Sequence, residues 1–300
     1  MAWQKSAWRL YQTATRVLLA VPGVKALVKQ WRLGRRLDTV MRHLVMTRLP
    51  NPVVAQGLTL YWHRQAAGGL PELAAGVYES DTRALVERFL GAGMAMVDLG
   101  AHLGFFSLIA AQCVGLSARV YAFEPQPQVY ALLLRNIEAN GFQSIIRPVN
   151  KAVSNAKSRV ALFLGKRDSG EASLYHTPGA SSSHRVVVET TTLDDFFAAE
   201  GWPPVHLIKM DIEGAEKAAL EGMRELSARN PELRLIMEFA PGVQAAAGVT
   251  PEELFEALLR LGFHKFSALY RGVQPLVIPQ DIPRLLRMAG DVYVNLLCEK

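Results

Sequence analysis

Apolar positions fall into two regimes along this chain. Through residues 1–49 they recur at helical spacing. Trp3, Ala7, Leu10, Tyr11, Ala14, Val17, Leu18 and Val21 share one helical face, and Lys5, Arg9, Gln12, Thr13 and Arg16 share the other. Pro22-Gly23 breaks this helix. The pattern returns at Val24, Leu27, Val28 and Trp31 before Gly34, and again at Leu37, Val40, Met41, Leu44 and Val45 before Pro50 and Pro52. The spacing predicts two or three short amphipathic helices. From residue 94 onward, short unbroken apolar runs alternate with helical patterns, the rhythm of a mostly parallel, doubly wound sheet.

The apolar runs at 94–97, 119–123, 145–149, 205–210 and 233–239 predict five buried strands, the third interrupted by Pro148. Helices are expected from Phe105, over 129–139, and over 251–261, the last with Thr250 as cap, Pro251 as first residue and Gly262 as stop. Thr192, followed by Asp194 and Asp195, reads as a helix start. Residues 159–164 and 185–191 read as further strands, and 263–269 with 292–297 as a closing hairpin. Residues 165–184, which include Gly170-Glu171-Ala-Ser173-Leu174, show no periodicity and predict a long loop. Ahead of the core, 58–63 is β-like, outside the main sheet, and Ser80 or Asp81 starts a helix that ends before Gly91 and Gly93. The expected organisation is a helical appendage over 1–60, a lead-in strand and helix over 61–93, and an α/β domain over 94–300.

Composition sharpens this division. Half of the 300 residues are hydrophobic and a fifth are charged, enough for one large α/β domain with an appendage. The net charge of +6 is uneven: residues 1–49 hold ten basic residues against Asp38, so that segment is +9 and the rest of the chain −3. The basic segment has three readings: a cap packed on the main domain or on a second copy in a homodimer, a membrane-surface helix with Trp at its apolar border over 1–45, or a polyanion contact. No RNA-binding motif accompanies it, so nucleic acid is the least favoured. The two cysteines, Cys113 and Cys298, lack metal-type spacing, which predicts a reducing compartment and no zinc site. No apolar run is long enough to span a bilayer, and 17–24 has no convincing cleavage site. The expected location is cytoplasmic, peripheral to the inner membrane face on the membrane reading.

The richest chemistry follows the first core strand. Asp98 ends it, Gly100 and Gly104 bracket a tight loop, and a helix begins at Phe105. Such a strand, glycine loop and helix opens a nucleotide-binding βαβ unit, with free N–H groups at the helix end. The Gly-Ala-His-Leu-Gly loop lacks the glycine spacing that cradles a pyrophosphate. Asp98 suits a ligand with an amino group, as S-adenosylmethionine has. A plain strand–helix turn without ligand remains the alternative. Glu124 closes the second strand 24 residues after Gly100, where one carboxylate grips ribose hydroxyls. An ordinary strand-end acid is the competing reading. Asn150 and Ala152 lie where a loop faces the adenine. Asp211 ends the fourth strand, so Asp98 and Asp211 are expected to face one crevice where strand order reverses. A helix cap at Asp211, with Glu213 and Glu216 as first-turn acids, is the alternative. Glu238 ends the fifth strand. None of the seven histidines pairs at metal-ligand spacing.

Four motifs in order, Val-Asp-Leu-Gly-Ala-His-Leu-Gly-Phe-Phe-Ser at 97–107, Phe-Glu-Pro at 123–125, Thr-Leu-Asp at 192–194 and Ile-Lys-Met-Asp-Ile-Glu-Gly-Ala-Glu at 208–216, resemble the FkbM family of S-adenosylmethionine-dependent methyltransferases. The resemblance spans about residues 76–240 and departs at His102, where Asn is usual. It implies a class I, Rossmann-like fold and methyl transfer, commonly to a hydroxyl of a sugar, glycolipid or secondary metabolite, with S-adenosylhomocysteine as product. The candidate cofactor contacts are Asp98, Gly100, His102, Gly104, Phe105, Glu124, Pro125, Asn150, Ala152 and Met210. Asp211, Glu213 and Glu216 become an acidic motif at the active-site mouth. Asp211 is the candidate base, with Glu213 or Glu238 orienting the acceptor. A Mg2+ ion held by these carboxylates is the less favoured route. Competing classes are a nicotinamide-dependent oxidoreductase, a nucleic-acid methyltransferase and a non-catalytic membrane adaptor.

Overall fold

The computed structural model describes residues 49–165, 170, 172–175, 185–290 and 292–300. The helices expected over 1–45, and Glu171 with much of the 165–184 loop, lie outside the described residues. The chain divides into two compact units, Met1–Ser80 and Asp81–Lys300.

In the first unit, β1 (Val53–Ala55) and β2 (Leu58–Leu60) form an antiparallel hairpin of their own. Its turn residues Gln56 and Gly57 both take positive φ, 52° and 78°, the twist that suits a two-residue hairpin. The β-like run expected here is this second strand, outside the main sheet as read. Alternation puts Val53, Ala55, Leu58 and Leu60 inside and Val54 outside. A short helix, α1 (Leu70–Ala75), packs on β1.

The second unit opens inside α2 (Ser80–Phe89), whose first residue closes the first unit, followed by β3 (Met96–Leu99), α3 (Phe105–Val114), β4 (Val120–Phe123), α4 (Pro127–Ala139) and β5 (Ile146–Val149). Then come β6 (Ala152–Val153), β7 (Arg159–Phe163), β8 (Arg185–Thr191), α5 (Leu193–Ala199), β9 (Leu207–Met210), α6 (Glu216–Glu221) and α7 (Arg224–Arg229). The last stretch holds β10 (Arg234–Phe239), α8 (Pro241–Ala246), α9 (Pro251–Arg260), β11 (Lys265–Leu269), β12 (Val273–Leu276), α10 (Ile282–Ala289) and β13 (Val294–Glu299). The main sheet has the order β12-β11-β13-β10-β9-β3-β4-β5. Its run from β10 to β5 is parallel, and β13 lies antiparallel between β10 and β11.

Burial explains the unbroken apolar runs. All residues of β3, β4 and β9 are buried, as strands covered on both faces require. Helix α3 is buried almost all round. Pro148 is tolerated because β5 is an edge strand, where a missing N–H breaks no ladder. The closing pair β11 and β13 is antiparallel as expected, but β12 and α10 intervene. Pro275 hid β12, which is again an edge. Thr192 caps α5 by accepting from Asp195 N–H at 2.9 Å. Asp194 does a different job: its carboxylate accepts from Glu225 and Leu226 N–H at 3.1 and 2.8 Å and so caps α7. Thr250 and Glu253 close a reciprocal capping box on α9.

The chain leaves β3 for β4 on one side and β9 for β10 on the other. The strand order therefore reverses between β3 and β9.

Candidate functional site

The site is built where β3 and β9 end side by side. Leu99 pairs with Met210, and the ladder runs one step further as Asp211 N–H donates to the Leu99 carbonyl at 3.0 Å. Gly100 follows with φ 78°, and a Cβ there would stand 1.9 Å from the Asp211 carbonyl oxygen. Gly104 has φ 88°, and its Cβ would stand 2.6 Å from Leu133 of α4. The sequence assigns these glycines to close approach of a ligand. In the structure the chain itself occupies that room, loop against loop and loop against helix.

Asp98 does not follow the strand but lies inside β3, paired with Lys209 and 1% exposed. Ser107 Oγ donates to Asp98 Oδ2 at 2.6 Å, while Oδ1 is buried with no partner among the described residues. Burial pushes this carboxyl above the usual range, against the opposing pull of Lys209 and Ser107. Glu124, 6% exposed, follows β4. Its Oε2 accepts from His102 N–H at 3.0 Å and its Oε1 from Gln126 N–H at 2.9 Å. Burial pushes Glu124 up to about 7, with the two amides opposing. His102 presents its amide from a left-handed backbone, φ 51°, a conformation that Asn and His both tolerate better than most residues. A histidine in place of the usual asparagine therefore keeps the loop's shape.

The remaining predicted cofactor contacts are unevenly placed. Half-buried Pro125 adjoins Glu124, and Phe105 opens α3, whose N-cap Gly104 brings no side-chain bond. Asn150 Nδ2 donates to the carbonyls of Glu124 and Pro125 at 2.8 and 3.1 Å, so its amide steadies that loop. Met210 is wholly buried in the main core. Ala152 sits with Leu162 and Val188 in the core of the small β6-β8-β7 sheet.

The acidic half follows from strand register. Met210 pairs with Met237, so Asp211 and Glu238 come level one residue later, on the same face. Glu213 joins them, and one carboxylate oxygen from each of Asp211, Glu213 and Glu238 lies within 4.8 Å of the others. All three predicted catalytic residues are thus brought together. Glu213 holds φ 50°, and Ser173 Oγ donates to its carbonyl at 2.5 Å. Glu238 is 8% exposed. Burial, then the charges of Asp211, Glu213 and Glu216, push it up to about 10, with Lys209 opposing, so in this arrangement it keeps its proton through neutral pH.

Glu216 differs from expectation. It does not stand at the mouth but is 1% exposed, its carboxylate accepting from Gly214 N–H at 3.1 Å and Gln244 Nε2 at 3.4 Å. It clamps the loop that carries Glu213.

Sequence reasoning passed over Lys209, Ser107 and Gln126. Lys209 Nζ donates to Asp211 Oδ2 at 3.0 Å and lies 4.7 Å from the Phe106 ring centre. Its spacing of two residues from Asp211 was a signal, because both must point to one face of a strand. Gln126 Oε1 is buried beside Glu124 without a partner among the described residues.

A parallel sheet reversing between β3 and β9, with one antiparallel strand inserted beyond β10, is the fold of class I S-adenosylmethionine-dependent methyltransferases. The family model described as Methyltransferase FkbM domain matches residues 98–265, more than half of the chain, and the chain belongs to that family. It is 25% identical over 145 residues to Methyltransferase 1 of Beauveria bassiana (strain ARSEF 2860), covering 43% of this chain and 57% of that protein. It is 26% identical over 157 residues to Methyltransferase sdnD of Sordaria araneosa, covering 43% and 60%. The chain spans less than two thirds of the length of these curated relatives. Among solved structures it is similar to methyltransferase FkbM from Methylobacillus flagellatus KT, with a TM-score of 0.44 and 17% identity over 69% of this chain and 43% of that one.

Proposed function

We propose that this protein transfers a methyl group from S-adenosylmethionine to a hydroxyl oxygen of a small molecule, glycan or glycolipid. The observation that carries this reading is the meeting of Asp211, Glu213 and Glu238 at the carboxyl ends of β9 and β10, beside the β3 loop. The cofactor half fits the group. Among the described residues Asp98 Oδ1 is a buried acceptor without a donor, suited to an amino group, and the Glu124 oxygens each accept one backbone amide, which leaves lone pairs for ribose hydroxyls. His102 and Gln126 hold Glu124 in place through those amides, and Asn150 steadies the backbone behind it.

When bound, S-adenosylmethionine supplies a sulfonium methyl and leaves as S-adenosylhomocysteine. Asp211 does the proton chemistry. Its Oδ2 is held by Lys209, which leaves Oδ1 to accept the proton of the acceptor hydroxyl. Glu213 and Glu238, each with an oxygen within 4.8 Å of an Asp211 oxygen, orient the acceptor. Transfer of labelled methyl into cell extract, divided into lipid and aqueous fractions, tests the reading, with Glu124→Ala as control. Label that depends on Glu124 supports it, and its fraction names the acceptor class. Absence of label from both fractions, with cofactor binding intact, counts against it. Label in lipid would also support a membrane-facing role for residues 1–45.

A further inference from the structure

We propose that Asp211, Glu213 and Glu238 form a binding site for a hard divalent cation of the Mg2+ or Mn2+ type. Three oxygens from three residues come within 4.8 Å of one another. Opposite ligands of a Mg2+ ion, each at about 2.0–2.1 Å, stand about 4.0–4.2 Å apart, and those of a Ca2+ ion, at about 2.3–2.6 Å, about 4.6–5.2 Å apart, so oxygens within 4.8 Å reach a single hard cation, the smaller one after a side-chain shift of a few tenths of an ångström.

A second observation singles out this cluster from an ordinary group of surface acids. Glu238 is 8% exposed, and no hydrogen-bond donor among the described residues reaches its carboxyl group. The two other buried glutamates among the described residues, Glu124 and Glu216, each hold two donors, so Glu238 is the buried glutamate left to be met by solvent or an ion. Glu238 faces Asp211 and Glu213, so the missing partner belongs between the three. Lys209 answers part of the charge. It bonds Asp211 Oδ2 at 3.0 Å.

The donor set also selects the metal. All three ligands are carboxylate oxygens, with no imidazole or thiolate, which favours hard ions over zinc or copper. The site is closed below by Glu238 and open where Asp211 is 27% exposed and Glu213 is half-buried. Water and an acceptor hydroxyl complete the shell on that side, and a hydroxyl bound there is a stronger acid than a free one. The use of the ion in methyl transfer rests on the function proposed above, but the existence of the site does not.

The test is titration of the purified full chain, stripped with chelator, with Mn2+ followed by loss of the free-ion electron paramagnetic resonance signal. One saturable site per chain is expected, with affinity falling about tenfold or more in Glu238→Gln, as loss of metal-site partners typically does. Competition by Mg2+ supports a hard-cation site. Absence of saturable Mn2+ binding by the wild-type chain overturns the proposal, without need of any variant. So does unchanged affinity in a folded Glu238→Gln protein. Mn2+ binding without methyl transfer would sink the proposed activity and leave the metal site standing. Methyl transfer by a chain that binds no Mn2+ would do the reverse.

Discussion

The two halves of the site treat their carboxylates in opposite ways. On the β3–β4 side, Glu124 is gripped by two backbone amides and Asp98 by Ser107. On the β9–β10 side, Asp211, Glu213 and Glu238 crowd one another, with Lys209 bonding one of them. The first half is preorganised, with backbone amides fixing Glu124 and the Ser107 hydroxyl fixing Asp98. The second half crowds its carboxyls so closely that Glu238 holds a proton through neutral pH. That contrast suits a fixed cofactor facing a variable acceptor.

The contrast is broken most severely at Asp211. Asp211→Asn should lower kcat by about a hundred- to ten-thousand-fold, the range for loss of a general base, with cofactor affinity unchanged. Steady-state kinetics with calorimetric binding of S-adenosylhomocysteine checks both, and full turnover would end the base assignment. Gly100→Ala should damage both halves at once, since its Cβ meets the Asp211 carbonyl at 1.9 Å and its φ is 78°. A loss of about 3 kcal/mol or more is expected from overpacking plus a left-handed backbone, read from denaturant unfolding.

Glu124 sharpens the comparison through pH. Its pKa rises from 4.5 in the open chain to about 7 in the fold. Between those values the folded state holds a proton that the unfolded state has released, so stability falls as pH rises from 4.5 to 7 and levels off above. The full penalty is about 3 kcal/mol at about 1.4 kcal/mol per pKa unit. Glu124→Gln should flatten that part of the curve. Cofactor affinity in the wild type should strengthen as pH rises through 7, because the ionised carboxylate is the better acceptor of ribose hydroxyls, and the variant should lose this dependence. The smallest effect is expected at Asn150→Ala, which removes two bonds behind Glu124. About 1 kcal/mol of cofactor affinity should go, with Mn2+ binding untouched.

Much of this fold was legible because its core strands are buried on both faces and so read as apolar runs. The edges were less so. Pro148 and Pro275 sit in strands that have a free side, and a proline there argues falsely against a strand. Glu216 shows the limit for the site. Its place in the acidic motif suggested the mouth, but Gly214 and Gln244 hold it inside. Ala152 shows another, since chain order places it near the adenine loop and packing places it under β7 and β8.

The amino-acid sequence by itself determined the order of strands and helices, the glycine loop and the identity of the acids, because periodicity, caps and left-handed turns are local properties. Only the tertiary structure decided which acids meet. Glu238 lies 27 residues beyond Asp211, and what joins them is the pairing of Met210 with Met237. The register of β9 on its other side, against β3, sets Lys209 opposite Asp98. The protonation of Glu124 and Glu238 belongs to this level too, since it follows from burial and from neighbours that adjacent strands bring together.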